Sequence, residues 1–214
     1  VRLIFVVVLL LGAGALTVRH AMGRRHSIAI PLLLVPGLVL GFFEYEDRLA
    51  VQKMSAVASI LSGRAVHVNC QRAAGQLVDA SADLGDVMVG SDGQVADFTT
   101  IKYEACKNLR AWLGSNKTDP TLDQVIAVHV LAHESEHLAG VLPEAQAECI
   151  SVQRTAETAR LLGATPAQAD ALAATYWEEV YPDMSADYRS DECKDGGAMD
   201  LHPDDTSWPS PPSG

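Results

Sequence analysis

Aromatic side chains are scarce, 6% of 214 residues, so any core must be assembled from Ala, Val and Leu with few large rings to fill it. Basic residues are scarce too: 16 Lys and Arg stand against 27 Asp and Glu, for a formal charge of −11. The shortage is uneven. Residues 1–43 contain no acidic side chain and four arginines, Arg2, Arg19, Arg24 and Arg25. That leaves twelve basic residues against all 27 acidic ones beyond them, a net charge of −15. Such a field repels a polyanion, which excludes nucleic acid as a partner. No Cys-x-x-Cys spacing occurs among Cys70, Cys106, Cys149 and Cys193, which argues against a thiolate zinc site. Internal repeats are absent. Apolar residues are not in short supply: at 48% they are ordinary for a folded chain and speak against wholesale disorder.

Two apolar runs open the sequence. Leu3–Val18 and Ser27–Phe43 are both uncharged, and each is near the lower limit of about 17 residues for crossing a bilayer core. A cleaved leader followed by a buried helix is the alternative, and the small residues Gly12–Ala15 suit it. Against it, the second run follows after only eight residues, and Pro31 and Pro36 suit a membrane helix better than a soluble core. The sequence therefore predicts a transmembrane hairpin over 1–43. Its loop carries Arg19, Arg24 and Arg25, while Glu44, Glu46 and Asp47 follow the second run. The positive-inside rule then puts the loop in the cytoplasm and the acidic remainder outside it. Four cysteines fit an oxidising compartment and suggest two disulfides, with three pairings open.

Residues 44–203 are expected to form a small, helix-rich α+β domain, with a flexible tail over 204–214 where Ser and Pro accumulate. Helical spacing runs from Glu44 to Leu61, with Gly63 as a stop. Ala65–Cys70 alternates like a strand, with His67 on its solvated side. Residues 86–100 read as a hairpin about the turn Gly90-Ser91-Asp92-Gly93. Tyr103–Leu113 is a short helix anchored by Trp112. Thr121 caps a helix reaching about Ala139. Pro143 suits the first turn of the next, which runs to Leu162, and Thr165-Pro166 opens another that continues to about Val180.

The informative stretch is His133-Glu134-Ser135-Glu136-His137. Positions four apart share one face of a helix, so both imidazoles can reach one zinc ion. Glu134 sits about 100° around the axis, where it can take a proton from an activated water without occupying a coordination position. About one chain in a hundred of this composition would carry HExxH by chance, and two exposed His–Glu pairs would be its bland explanation. Flanking Val125, Ile126, Val128 and Leu131 supply the buried helix such a site needs. Catalytic zinc takes three protein ligands and keeps one open position. The following helix offers Glu144 and Glu148, again four apart.

At these residues the chain resembles the gluzincin branch of zinc metallopeptidases, in which HExxH precedes a helix carrying an ExxA(D/E) glutamate. The resemblance implies His133, His137 and Glu144 as ligands, Glu134 as general base, and Glu148 as a carboxylate orienting a ligand histidine. The spacing departs from that pattern: Glu144 follows His137 by only seven residues, so the chain must reverse at once, and Glu148 stays open as the alternative ligand. Over about Val125–Pro209 the chain is similar to membrane-anchored bacterial proteins, mainly actinobacterial, with HExxHLxG, EAxAEC and a late Cys193-Lys194-Asp195-Gly196-Gly197. That likeness carries no substrate. His129 shares the His133 face and is expected to pack behind the site, not to fill its open position. Cys149 is expected to pair with Cys193 and tie the C-terminal segment over the site. Tyr181, Tyr188 and His202 are candidate oxyanion donors.

The expectation is a membrane-anchored zinc peptidase acting on a peptide or protein substrate, with the 86–100 hairpin lending it an edge strand. Two alternatives stay open: a non-catalytic membrane protein with a structural metal, and a metal-free interaction module stiffened by disulfides.

Overall fold

Small side chains and well-placed caps decide most of the architecture. A computed structural model describes residues 2–23, 29–72, 84–204 and 208–209, and the chain divides into two compact units, Val1–Ala50 and Val51–Gly214.

In the first unit, helix α1 (Arg2–Ala21) ends in Arg19 and His20, favourable company for its carbonyl terminus. Its stretch Ile4–Ala21 is the one span among the described helices long and apolar enough to cross a membrane. Helix α2 (Ala29–Ser62) begins in this unit and contains Pro36. Glycines let α1 and α2 approach closely: a Cβ at Gly37 would stand 3.2 Å from Leu10, and one at Gly12 would stand 3.3 Å from Leu33. Arg24, Arg25 and the start of the second apolar run lie outside the described residues.

The second unit is an α+β fold with a three-stranded sheet. As the spacing predicts, α2 stops at Gly63, whose φ of +67° suits glycine. Strand β1 (His67–Cys70) runs parallel to β3 (Val95–Ile101), and β2 (Gly85–Val89) pairs antiparallel with β3, in the order β1-β3-β2. His67 is exposed and Val68 buried, as the alternation requires. The outer side of β1 is covered, since Ser55 and Ser59 on α2 accept the N–H groups of Val68 and Val66. The expected hairpin is present, with a register irregularity between Val87 and Val89. Among the described strands that leaves β2 at the edge.

Four helices follow: α3 (Tyr103–Leu113), α4 (Leu122–Leu138), α5 (Glu144–Leu161) and α6 (Pro166–Thr175). Thr121 and Gln124 form a capping box at the start of α4, and Thr165 and Gln168 form another on α6. Pro143 is the N-cap of α5, one position ahead of the expected first turn. Helix α4 threads the centre and touches α3, α5, α6, β2 and β3. From Ala127 to Leu138 every residue is buried. Met54, Ile101, Leu109, Trp112, Val152, Ala156 and Leu172 are buried too, with Trp112 the largest side chain of this core.

Beyond α6 the last helix changes character. Tyr176–Val180 is a π-type turn, followed by 3-10 turns at Tyr181–Asp183 and Ala186–Tyr188. Disulfides join Cys70 to Cys106 and Cys149 to Cys193. Gln153 also holds the C-terminal segment, donating to the Met199 carbonyl and accepting from the Leu201 N–H. Of the expected tail, Trp208 sits edge-on to Trp177 at 5.5 Å; residues 205–207 and 210–214 lie outside the described residues.

Candidate metal centre

The short spacing between His137 and Glu144 is bridged by a Schellman turn. Gly140, at φ +98°, follows the last helical residues of α4; its N–H bonds the His137 carbonyl, and the Val141 N–H bonds the Glu136 carbonyl. Only glycine adopts that φ without strain. The turn reverses the chain within Ala139–Pro143 and lays the first turn of α5 against the last turns of α4. It also presents the Val141 carbonyl to His137.

His137 donates from Nδ1 to that carbonyl at 2.7 Å, and His133 donates from Nδ1 to Glu148 Oε2 at 2.9 Å. Each imidazole is thereby committed to one tautomer with its Nε2 turned to the other side. The two Nε2 atoms stand 2.9 Å apart, and Glu144 Oε2 stands 3.1 Å from that of His133 and 3.2 Å from that of His137. Three acceptor atoms facing one another repel unless something positive lies among them. A proton or a metal cation would answer that repulsion. Burial works to lower the His133 pKa, but hydrogen bonds with Glu144 and Glu148 outweigh it and push it up to about 9. The triangle also fits an ion: bonds of about 2.0–2.1 Å in tetrahedral array hold neighbouring donors about 3.3 Å apart.

Behind this triangle lies a second, fully enclosed layer. Glu148, 1% exposed, accepts from His133, from His129 at 3.0 Å and from the Tyr176 hydroxyl at 2.7 Å. Burial alone would raise its pKa, yet His129 and then His133 outweigh that and hold the carboxyl well below the usual carboxylate range. His129 is lowered by burial against the pull of Glu148. His129 Nε2 lies 3.0 Å from Glu148 Oε2, and its Nδ1 lies 2.8 Å from the Thr155 hydroxyl, which itself donates to the Ser151 carbonyl. Its ring stacks on Tyr176 at 3.5 Å. Among the described residues, two groups could hold a metal ion: His133, His137, Glu144 and His129, His133, Glu148.

Glu134 projects beside the first group. It is buried, and burial pushes its pKa up to about 7 against the opposing pull of His133 and the hydrogen bond from Thr99. Thr99 Oγ1 lies 2.9 Å from Glu134 Oε2. Gly85 makes room for the carboxylate, since a Cβ there would overlap it. A cleft of about 380 Å³ opens on the site, bounded by Gly85–Val87 and Val89 of the edge strand, by His133, Glu134, His137 and Glu144, and by Leu142 and Tyr188.

The five residues singled out by the motif, His133, Glu134, His137, Glu144 and Glu148, therefore meet in one place, and none is a solvated surface pair. His129 packs behind the site as expected. Of the three candidate oxyanion donors, Tyr188 borders the cleft with its ring 5.7 Å from His133. Tyr181 accepts the Ser190 N–H, and His202 lines a separate cavity with Gln153 and Arg154. The motif gave no sign of Thr99, Gly85, Thr155 or Tyr176, which arrive from strands and helices remote in sequence. No protein-family model matches the chain, and neither a curated protein nor a solved structure matches it.

Proposed function

We propose that this chain is a membrane-anchored zinc peptidase, with His133, His137 and Glu144 as ligands and Glu134 as general base. The observation that carries the reading is the convergence of His133 Nε2, His137 Nε2 and Glu144 Oε2 at about 3 Å spacings beside a buried carboxylate on an open cleft. Two imidazoles and one carboxylate are a donor set suited to catalytic zinc, whose fourth position stays open. Glu148 is the poorer ligand because its oxygens already serve three donors, so it orients His133 instead. This layered order is also what the gluzincin resemblance implies.

A bound zinc ion would acidify water and polarise a peptide carbonyl. Glu134 takes the proton from the attacking water and returns it to the leaving amine, a task suited to a carboxyl whose pKa lies near neutrality. Tyr188, which borders the cleft, would be the donor to the oxygen on which charge develops. At the edge of the described sheet, β2 would offer backbone groups to an extended peptide, in the strand-addition mode. Membrane anchoring rests on α1. The glycine contacts between α1 and α2 favour a second span, and the two disulfides favour an outer unit in an oxidising compartment.

Metal analysis of the purified protein tests the centre: one zinc per chain is expected, and a content far below that overturns it. Glu134→Gln should keep the zinc and lose turnover of a quenched fluorescent peptide mixture. Equal, negligible turnover in both forms would favour a structural metal. A reporter active only outside the cytoplasm, fused after Asp47, should be active if both spans are present.

A further inference from the structure

We infer that Thr99 is a positioning residue for Glu134, holding the direction of its carboxylate through the side-chain hydroxyl. The inference rests on the proposed role of Glu134 and extends it to a strand that the HExxH motif does not reach.

Thr99 lies on β3 with no exposed surface. Its Oγ1 stands 2.9 Å from Glu134 Oε2 and 2.9 Å from the backbone carbonyl of Asp86. A threonine hydroxyl has one hydrogen, so it serves one of these acceptors at a time. An ionised carboxylate is the stronger acceptor, and the hydroxyl then donates to Glu134. In the reaction, the water oxygen forms the bond to the carbonyl carbon while its proton passes to Glu134. The C–N bond then breaks and that proton leaves on the amine, so Thr99 gains and loses nothing. Its contribution is a fixed carboxylate direction at the start of each cycle, in a pocket that Gly85 keeps wide enough.

The test compares Thr99→Val, which keeps the shape and removes the hydroxyl, with Thr99→Ser, which keeps the hydroxyl. Thr99→Ala replaces the valine variant should that one not fold. Two readouts are taken: turnover of the quenched fluorescent peptide mixture, and the infrared carboxylate band of Glu134, identified by subtraction of the Glu134→Gln spectrum. Loss of the hydroxyl should lower kcat about 10- to 100-fold, leave KM within about twofold, leave one zinc per chain and shift the band. Thr99→Ser should restore both kcat and the band. An unmoved band on loss of the hydroxyl overturns the inference, as does a serine variant as impaired as the valine one, which would mark a packing role. Failure of the parent reading is separable: it appears as missing zinc or as a Glu134→Gln variant with full turnover, and the infrared band still decides whether Thr99 bonds Glu134.

Discussion

Gly85→Ala is the smallest change that interrogates the candidate centre. The new Cβ would lie 2.7 Å from Glu134 Cγ and closer still to its carboxylate, whereas ordinary contact begins near 3.4 Å. Something must move by about 1 Å. Helix α4 is enclosed along its last three turns and Glu134 is held by Thr99, so the edge strand β2 is the part that yields, with Glu134 dragged off line. Overpacking of this kind costs about 1–3 kcal/mol, which in a unit of this size lowers Tm by about 2–4 °C per kcal/mol. Displacing a reacting group by about 1 Å costs about 100-fold in turnover. Zinc content should not change, because His133, His137 and Glu144 come from α4 and α5. Calorimetry, metal analysis and the peptide assay read the three effects separately. A Gly85→Ala protein with native Tm and native turnover would refute the close packing of β2 on Glu134.

Glu148→Gln removes the anion that three donors share, and zinc affinity measured by chelator competition should fall about 10- to 100-fold; unchanged affinity would make the second layer irrelevant to metal binding. Arg154 bonds the buried Glu136 at 2.9 Å, so Arg154→Met should destabilise by about 3 kcal/mol, the low end for a broken buried pair because Arg154 reaches solvent; a Glu136→Gln, Arg154→Met double variant should recover part of the loss in a denaturant melt. The Cys149–Cys193 bridge spans 44 positions, and replacing both by Ser should cost about 4 kcal/mol by loop entropy; native stability would show the bridge to be unformed. After EDTA treatment the protein should melt lower at pH 9 than at pH 6. Glu134, raised to about 7 from 4.5, favours folding less as pH climbs between those values, and the His133 contribution, complete below 6.5, is lost through about 9. Glu148, held low, matters only in acid. A flat or rising Tm over that range would contradict these directions.

Local chemistry made much of the fold legible. Thr121, Gly63, Gly140 and Thr165 mark helix ends because caps and left-handed turns depend on a residue and its immediate neighbours. The i, i+4 spacing in the motif and on α5 aligned four of the five site residues before any tertiary contact was known. What the sequence concealed is long-range. Thr99 reaches Glu134 across 35 positions and Tyr176 reaches Glu148 across 28, and no spacing rule links such pairs. The π-type turn at Tyr176 was hidden for a related reason: the apolar period that predicts a helix to Val180 is blind to a change of winding that turns the Tyr176 ring onto His129. The seven-residue gap before Glu144 departs from the gluzincin spacing, yet Gly140 is the residue that lets a turn this tight form.

Three of the four glutamates between positions 134 and 148 meet at the site, and their different surroundings would separate their proposed roles. Glu148 is the most enclosed and has three donors, enough to keep it charged without an ion; a carboxylate so supplied has little to offer a metal and much to offer the histidine it fixes. Glu144 reaches the cleft, and its hydrogen bond with His133, ahead of the burial that opposes it, draws its pKa below the ordinary value. Its partners are the two Nε2 atoms that a metal would engage in the proposed centre. Glu134 is buried with a single neutral donor on its carboxylate, and its pKa rises accordingly. In the proposed function one side-chain type would thus cover orientation, ligation and proton transfer by the number and charge of its neighbours. Exchanging those neighbours should exchange the behaviour: removing the Tyr176 hydroxyl, with Tyr176→Phe, takes one donor from Glu148 and should weaken zinc binding, while leaving the carboxylate band of Glu134 where it was.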